Sequence, residues 1–311
     1  FIVLYLHMFR GMLYGSYKNP RELIWLLGMM LYFCLMAEAF LGYILPWGNM
    51  SYWAAQVIVN LFGTIPFIGD TLVEWIRGDY YISDITLNRF FALHVIAVPL
   101  AILGLVFAHI VALHHIGSNN PDGIEIKDNK DAQGKPIDGV AFHPFHTSKD
   151  LVWITIFLIL YFGAVFFAPE MGGLFLEVDN FEPANPLKTP EHIVPSWYFT
   201  PYYAILRSIP DSLLGFIALV SAVLCFVFLP WLDKCKVKSI RYRGWQYKVA
   251  LAIFVISFVS LGYLGMQPSS GIYLILARLF TVLYFSFFLL MPFYTRLEKT
   301  KPVPDRVVYK K

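Results

Sequence analysis

Long apolar runs alternate with polar loops along this chain of 311 residues. Six runs can cross about 30 Å of hydrocarbon as helices, the third and fifth at the short limit. They lie at 23–45, 90–113, 151–168, 213–232, 249–266 and 272–293. Residues 1–10 have the pattern of the end of a further span, which we expect to begin before Phe1. The pattern predicts an all-α, polytopic transmembrane helical protein.

The composition supports a membrane protein, because 58% of the residues are hydrophobic and only 14% are charged. A soluble domain of this length cannot bury so much apolar surface in its core. The connections at 46–89, 116–148 and 169–212 are long, polar and rich in Gly and Pro, which is typical of loops that carry sites. An aromatic content of 18% brings flat ligands such as porphyrins and quinones into consideration.

The basic residues are divided unevenly between the two sets of loops. One set, with the C-terminal tail, holds 19 of the 24 Lys and Arg residues. The other set holds Arg77, Arg89, Lys188 and Arg207, and Arg278 lies inside the last span. Lys and Arg accumulate on the cytoplasmic side of membrane proteins. We therefore expect the loops at 46–89 and 169–212 to be external and the C-terminus to be cytoplasmic.

Two histidines lie in the apolar run at 90–113, where polar groups are costly and usually functional. His94 and His109 are fifteen residues apart, which in an ideal helix means about 22 Å along the axis and about 60° around it. This separation suits two cofactors stacked across a bilayer, whereas one metal site requires histidines a single turn apart. A hydrogen-bonded structural role is the alternative for each histidine alone, and the pair favours ligation.

Glycines on the neighbouring apolar run give an independent indication of a large ligand. Gly28 and Gly42 are fourteen residues apart and fall within about 40° of one helix face. Either a porphyrin edge or a second helix can approach closely there, so small-residue helix packing stays open. His7, with Arg10 one turn later, fits a haem ligand beside a cation for a haem propionate, and Arg89 fits the same propionate role on the other side.

Six segments match, in order, the pattern of one known family over the whole chain. They are RGMLYGSY at 10–17, GYILPWGNMSYW at 42–53, RFFALH at 89–94, HHIGSNNPDG at 114–123, FHPFHTSKD at 142–150 and TPEHIVPSWYFTPYYAILRSIP at 189–210. The chain closely resembles cytochrome b of the bacterial, proteobacterial type. The resemblance implies a haem-binding region at 1–168, a C-terminal region at 169–311 and a location in the bacterial cytoplasmic membrane.

The resemblance implies a four-helix bundle that holds two b-type haems, followed by C-terminal helices. His7 and His109 would ligate the high-potential haem near the cytoplasmic face, and His94 the low-potential haem near the outer face. We expect the first helix of that bundle, part of the second and the partner of His94 to precede this sequence. The spacing of His94 and His109 is one residue longer than in mitochondrial members, and Pro99 offers a place for a local irregularity.

A quinol-oxidising site on the outer side is implied by the same resemblance. Its lining would be Phe40, Tyr43, Ala54, Pro195, Trp197 and Tyr198. Most of the family has a glutamate at the position of Ser196, thought to accept a proton from quinol, and a serine has no pKa suited to that task. We hypothesise that Glu38, an acid in an apolar run, replaces it, with Glu191 as the second candidate. The alternative is that Glu38 hydrogen-bonds a neighbouring helix or cofactor.

A quinone-reducing site on the inner side is implied as well. It would use His114, Ser118, Lys149 and Asp150, with Phe142 as a flat neighbour. A His and an Asp beside a quinone can protonate both carbonyl oxygens as the ring is reduced. Lys149 and Asp150 also fit an ordinary solvated helix start, and that alternative stays open.

The implied function is a Q cycle within a quinol–cytochrome c oxidoreductase. One electron from quinol would go to a Rieske iron–sulfur protein and the other through both haems to quinone, with proton translocation. The chain has three cysteines and no CxxCH motif, so we expect a Rieske protein and a cytochrome c1-type subunit as partners. Membrane lipid and a second copy of the complex are also expected, and nucleic acid is not. A proton-relaying transporter and a dihaem anchor of a dehydrogenase stay open as alternatives.

Overall fold

The computed structural model describes residues 1–171 and 177–307, and its regular structure there is almost all helical. The helices are α1 (Ile2–Tyr14), α2 (Glu22–Tyr43), α3 (Asn49–Phe62), α4 (Gly69–Arg77), α5 (Asp84–Ala92), α6 (Val98–Ile116), α7 (Thr147–Phe167), α8 (Thr200–Ser208), α9 (Ser212–Leu224), α10 (Leu229–Leu232), α11 (Trp245–Gly265), α12 (Gly271–Leu289) and α13 (Met291–Leu297). Within the described ranges, five stretches are long and apolar enough to cross a membrane: Glu22–Tyr43, Asp84–Ile116, Phe142–Phe167, Trp245–Gly265 and Gly271–Leu289. The prediction of an all-α, polytopic membrane protein is confirmed.

The predicted span at 213–232 is not one continuous helix, because this apolar run forms α9 and the short α10. Pro230 explains the break, since proline lacks an N–H and its ring clashes with the carbonyl four residues earlier in a continuous helix. That carbonyl, on Phe226, accepts a hydrogen bond from the indole N–H of Trp25 at 2.7 Å. This hydrogen bond links the turn after α9 to α2.

The segment that carries His94 is a π-helical turn. Residues Leu93–Ala97 join α5 to α6, and the amide of Val98 bonds the carbonyl five residues back. A π turn holds one residue more than an α turn. It therefore absorbs the extra residue between His94 and His109, and the irregularity expected near Pro99 lies just before that proline.

Within residues 1–171 and 177–307, the helices pack around two buried cores. Helices α2 and α6 pack against each other, and α11 packs against both α8 and α12. One core joins α1 and α2 to α8, α9, α11 and α12. The other lies where the end of α2 meets α3 and α5. Helices α6 and α7 contain no buried residue, so their apolar side chains are available to lipid.

The basic loops meet at one end of the helices. Arg21 pairs with Glu125 at 2.5 Å, and Lys238 pairs with the same carboxylate. Arg306 in the C-terminal tail pairs with Asp138 at 2.6 Å. The loops that the charge pattern assigns to one side of the membrane are thus in direct contact.

Candidate functional site

The two histidines of the Asp84–Ile116 span face the two glycines of α2. A Cβ added to Gly28 would lie 3.3 Å from Cε1 of His109. A Cβ added to Gly42 would collide with the ring of His94. The glycines are fourteen residues apart and the histidines fifteen. The two pairs still face each other, because the π turn accommodates the extra residue. A larger side chain at either glycine would therefore occupy space that the facing histidine ring needs.

A cavity at the basic end of α1, α2 and α6 brings together residues predicted for the high-potential haem. His7 faces His109 with ring centroids 6.4 Å apart and an interplanar angle of 70°. The cavity, about 130 Å³, is lined by both rings and by Arg10, Gly28 and Ser118. Two imidazoles from different helices, a glycine and a cation at the rim fit a bis-histidine haem. Ser118, predicted for the inner quinone site, therefore shares this cavity.

His94 contacts an acid on the neighbouring helix. Its Nδ1 lies 3.0 Å from the main-chain oxygen of Glu38 and 3.0 Å from Oε1 of the same residue. A carbonyl oxygen only accepts, so Nδ1 carries the hydrogen and Nε2 is the nitrogen suited to a metal. Glu38 thus makes the contact expected from the alternative, a hydrogen bond to a neighbouring helix. Arg89 donates to the carbonyl of Trp75 at 2.7 Å.

An apolar cavity of about 380 Å³ lies between α2, α3, α8 and α9. Three residues predicted for the outer quinol site line it, Phe40, Ala54 and Pro195. Phe199 and Tyr203 close its other walls. An almost wholly apolar cavity of this size suits a flat, apolar ligand.

The remaining aromatic residues of the predicted outer site adjoin this cavity without lining it. Tyr43 lies about one turn beyond Phe40 on α2. Trp197 packs edge-on against Tyr198, with ring centroids 5.5 Å apart, in the segment before α8. Glu191 lines a neighbouring cavity of about 340 Å³ together with Arg207.

An acid that the sequence analysis missed lies beside Tyr43. The Tyr43 hydroxyl donates to Oε2 of Glu177, and the side-chain amide of Asn180 donates to the Tyr43 oxygen at 3.0 Å. Burial raises the pKa of Glu177, with the nearby charge of Asp179 adding to the effect and the Tyr43 hydrogen bond opposing it. Only the fold brings this loop acid against α2, so no sequence motif indicates it.

The predicted inner quinone residues lie at the basic end and are exposed. His114 and Phe142 have ring centroids 6.3 Å apart. Lys149, on the first turn of α7, places its Nζ 4.0 Å from the ring centre of Phe145. Asp150 follows it on the same turn. The structure therefore brings His114 and Phe142 into contact and places the other two residues on the adjoining helix.

Comparison with known proteins identifies the family of both halves. Residues 1–174 match the family described as cytochrome b(N-terminal)/b6/petB, and residues 183–285 match cytochrome b(C-terminal)/b6/petD. Cytochrome b of Allochromatium vinosum is 57% identical over 315 residues, which cover 99% of this chain and 76% of the relative. Cytochrome b of Rickettsia prowazekii is 46% identical over 305 residues, which cover 98% and 74%.

A solved structure supports the same assignment at the level of the fold. A chain of a hyperthermophilic respiratory complex III superposes with a TM-score of 0.86 and 39% identity, over 96% of this chain and 76% of that one. The sequence matches extend over both halves of the chain and agree with the structural one. The chain belongs to the cytochrome b family, the electron-transfer subunits of respiratory complex III.

Proposed function

We propose that this chain is the dihaem core of a quinol–cytochrome c reductase and runs a Q cycle. The observation that carries the proposal is the alignment of His94 and His109 with Gly42 and Gly28 on the facing helix. The approach of His7 to His109 supplies a second imidazole at one of these places. Two b-type haems, when bound, would supply one-electron transfer between the two faces of the membrane.

The side chains of this chain would hold and orient those groups. His7 and His109 would hold the haem at the cytoplasmic end, where Arg10 lines the same cavity and can pair with a carboxylate. His94 is the proposed ligand nearer the outer face, and its contact with Glu38 fixes the direction of the ring. Arg89 is the proposed cation for a propionate on that side.

Quinol would bind in the apolar cavity next to Phe40, Ala54 and Pro195, and its walls would exclude water from the reacting head group. Tyr43, Trp197 and Tyr198 would form the polar and aromatic rim. Ser196 occupies the position where most of the family has a glutamate, so another acid must accept the proton. Glu38 and Glu191, the candidates from the sequence, stay predictions.

Quinone would be reduced at the basic end, beside His114 and Phe142. His114 and Asp150 would supply protons to the two carbonyl oxygens, because an imidazolium and a carboxylic acid can each donate a proton to the reduced ring. Ser118 and Lys149 would add polar contacts. The exposure of these residues gives protons a direct path from the aqueous side.

The reaction requires acceptors outside this chain, whose sequence contains three cysteines and no CxxCH motif. We propose a Rieske iron–sulfur protein and a cytochrome c1-type subunit as partners, in a dimeric complex. The contacts among the basic loops support an orientation with these loops and the C-terminus in the cytoplasm of a bacterial cell.

A redox-titrated visible difference spectrum of the purified complex tests the proposal. We expect two b-type components for each copy of the chain, and the loss of only one of them in His109→Leu. A protein without b-type absorbance would return the chain to the transporter class. Two b-type components in a complex whose turnover is insensitive to outer-site quinone analogues would indicate the dihaem anchor of a dehydrogenase instead.

A further inference from the structure

We propose that Glu177 accepts the proton of quinol at the outer site, through the hydroxyl of Tyr43. The proposal rests on the proposed oxidation of quinol in the apolar cavity. Because Ser196 cannot take this proton, the acid that does so must be connected to the cavity by hydrogen bonds. Glu177 accepts a hydrogen bond from Tyr43, which lies about one turn beyond the cavity-lining residue Phe40 on α2.

The direction of the Tyr43 hydroxyl follows from its neighbours. The main-chain N–H of Ser51 donates to Oδ1 of Asn180 at 2.8 Å, which fixes the orientation of that amide. The Asn180 amide N–H therefore donates to the Tyr43 oxygen at 3.0 Å. The hydroxyl hydrogen of Tyr43 is then directed to the carboxylate of Glu177. One lone pair of the Tyr43 oxygen is left to accept from a ligand.

Glu177 lies near two tyrosines that follow cavity-lining residues along the chain. Tyr43 is about one turn beyond Phe40 on α2, and its hydroxyl bonds Glu177. Tyr198 lies between Pro195 and Phe199, which both line the cavity. Burial raises the pKa of Tyr198, and the charge of Glu177 contributes to the increase. Glu177 therefore interacts with two residues of the rim, Tyr43 by a hydrogen bond and Tyr198 through its charge.

The surroundings of Glu177 suit a group that first accepts a proton and then releases it. Burial raises its pKa, and the charge of Asp179 acts in the same direction. Among residues 1–171 and 177–307, the titratable groups that face it are Tyr43, Tyr198 and Asp179. Glu177 is only half-buried and Asp179 is exposed, so the acid is not sealed from water. A half-buried carboxyl with a raised pKa holds a proton longer than an ordinary surface acid and still exchanges it with solvent.

The other two acids are less well connected to the cavity. The carboxylate of Glu38 lies 3.0 Å from Nδ1 of His94, so that histidine already holds it. Glu191 lines the neighbouring cavity and has no described contact with Tyr43 among residues 1–171 and 177–307. In the part of the chain that the structure describes, neither acid hydrogen-bonds Tyr43, Trp197 or Tyr198, whereas Glu177 bonds Tyr43.

The proton step balances without a further reactant. The quinol O–H breaks and its proton binds the Tyr43 oxygen, while the Tyr43 O–H breaks and its proton binds the Glu177 carboxylate. Tyr43 ends neutral and Glu177 ends as the acid. The electron leaves quinol for the iron–sulfur protein that the proposed function requires. Glu177 then releases the proton to external water.

The test is the pH dependence of quinol oxidation by the complete complex carrying Glu177→Gln. We expect a maximal rate about 10²-fold lower, because a positioned base contributes at least that much. In the unmodified complex the rate should rise with pH as Glu177 ionises, and this rise should vanish in the variant. Tyr43→Phe should show the same loss, and Glu177→Asp should recover part of it. The exposed acid of the same loop, Glu182, provides the matched control Glu182→Gln, with an unchanged profile.

The spectrum of the b-type components distinguishes failure of this inference from failure of the proposed function. If both components are intact and Glu177→Gln keeps the original pH profile, Glu177 is not the acceptor. If the rise with pH disappears instead in Glu38→Gln or Glu191→Gln, that acid is the acceptor and the present inference is overturned. If the b-type components are absent from the unmodified complex, the proposed function itself is wrong.

Discussion

The glycines of α2 differ in how closely a histidine approaches them, and this difference predicts unequal effects of alanine. At Gly42 an added Cβ collides with His94, whereas at Gly28 it lies 3.3 Å from His109 and a small shift relieves the contact. We expect Gly42→Ala to remove more than half of the b-type component assigned to His94, and Gly28→Ala to weaken the other component only slightly. The difference spectrum measures both.

The matched control for these substitutions is Gly104→Ala on the facing helix. A Cβ there meets nothing within 4 Å, and alanine favours a helix over glycine by about 1 kcal/mol. Full haem content is therefore expected. Equal losses in Gly104→Ala and Gly42→Ala would show that the ring contact is not the cause.

Single residues differ in how far the sequence alone could assign them. His94, His109 and the α2 glycines were predictable because polar or missing side chains are conspicuous in an apolar run. Glu177 was not, since one acid in a polar loop carries no signal until the fold places it on Tyr43. The contact of Glu38 with His94 also depends on how two helices are rotated against each other, which hydropathy does not determine.

Among the elements, the π turn at Leu93–Ala97 predicts an asymmetry between removing and adding a residue. Deletion of Val95 should convert the turn to regular α-helix and keep His94 and His109 on their glycines. Insertion of one alanine after Leu103 should rotate His109 by about 100° relative to His94. We expect two b-type components after the deletion and loss of one after the insertion.

The measurement is again the haem-to-chain ratio, with helix content by circular dichroism as the control for folding. If both variants retain both components, the register of the histidines does not depend on this turn. Equal loss of b-type components in both variants would mean that haem binding depends on the length of the span and not on the turn.

Element lengths were predictable wherever apolar runs had no interruption. Five spans overlap the predicted runs, with ends that differ by at most nine residues, at Phe142 against 151. The interruption of the run at 213–232 was not predictable, because hydropathy does not register the missing N–H of Pro230. The π turn also has no signature in hydropathy, and only the fifteen-residue spacing of the histidines pointed to an irregularity.

At the scale of the whole molecule, buried charges hold the basic end together. Asp233 is fully buried and pairs with Lys18 and Arg243, both at 2.8 Å, and Arg243 also pairs with Glu298 at 2.6 Å. Asp233→Asn would leave two buried cations without a full partner, and we expect a loss of about 3–5 kcal/mol in the free energy of unfolding. Thermal unfolding in detergent measures it, and the exposed-pair variant Glu182→Gln should change it by less than about 1 kcal/mol.

The pH dependence of this contribution has a definite sign. Burial alone would raise the pKa of Asp233, but Arg243 and Lys18 lower it below its ordinary value of 3.8. The stabilisation is therefore complete above that value and disappears only as the pH falls through the lower folded pKa. Unfolding temperatures of the native chain and of Asp233→Asn should differ by a constant amount from pH 5 to pH 8. A difference that shrinks within this range would contradict the assignment.

The hydrogen bond from Trp25 to the Phe226 carbonyl has a consequence for biosynthesis. Helix α2 is translated long before Phe226, so the indole N–H has no Phe226 carbonyl to bond when it first reaches the membrane. Pro230 cannot donate to that carbonyl, which accepts locally from the amide of Leu229 at 3.3 Å and from the indole once α2 is beside it. The indole N–H is costly alone in hydrocarbon, and this cost ends when the two halves meet. The hydrogen bond between Trp25 and Phe226 thus favours docking of the C-terminal half against α2 over release of a partly assembled chain.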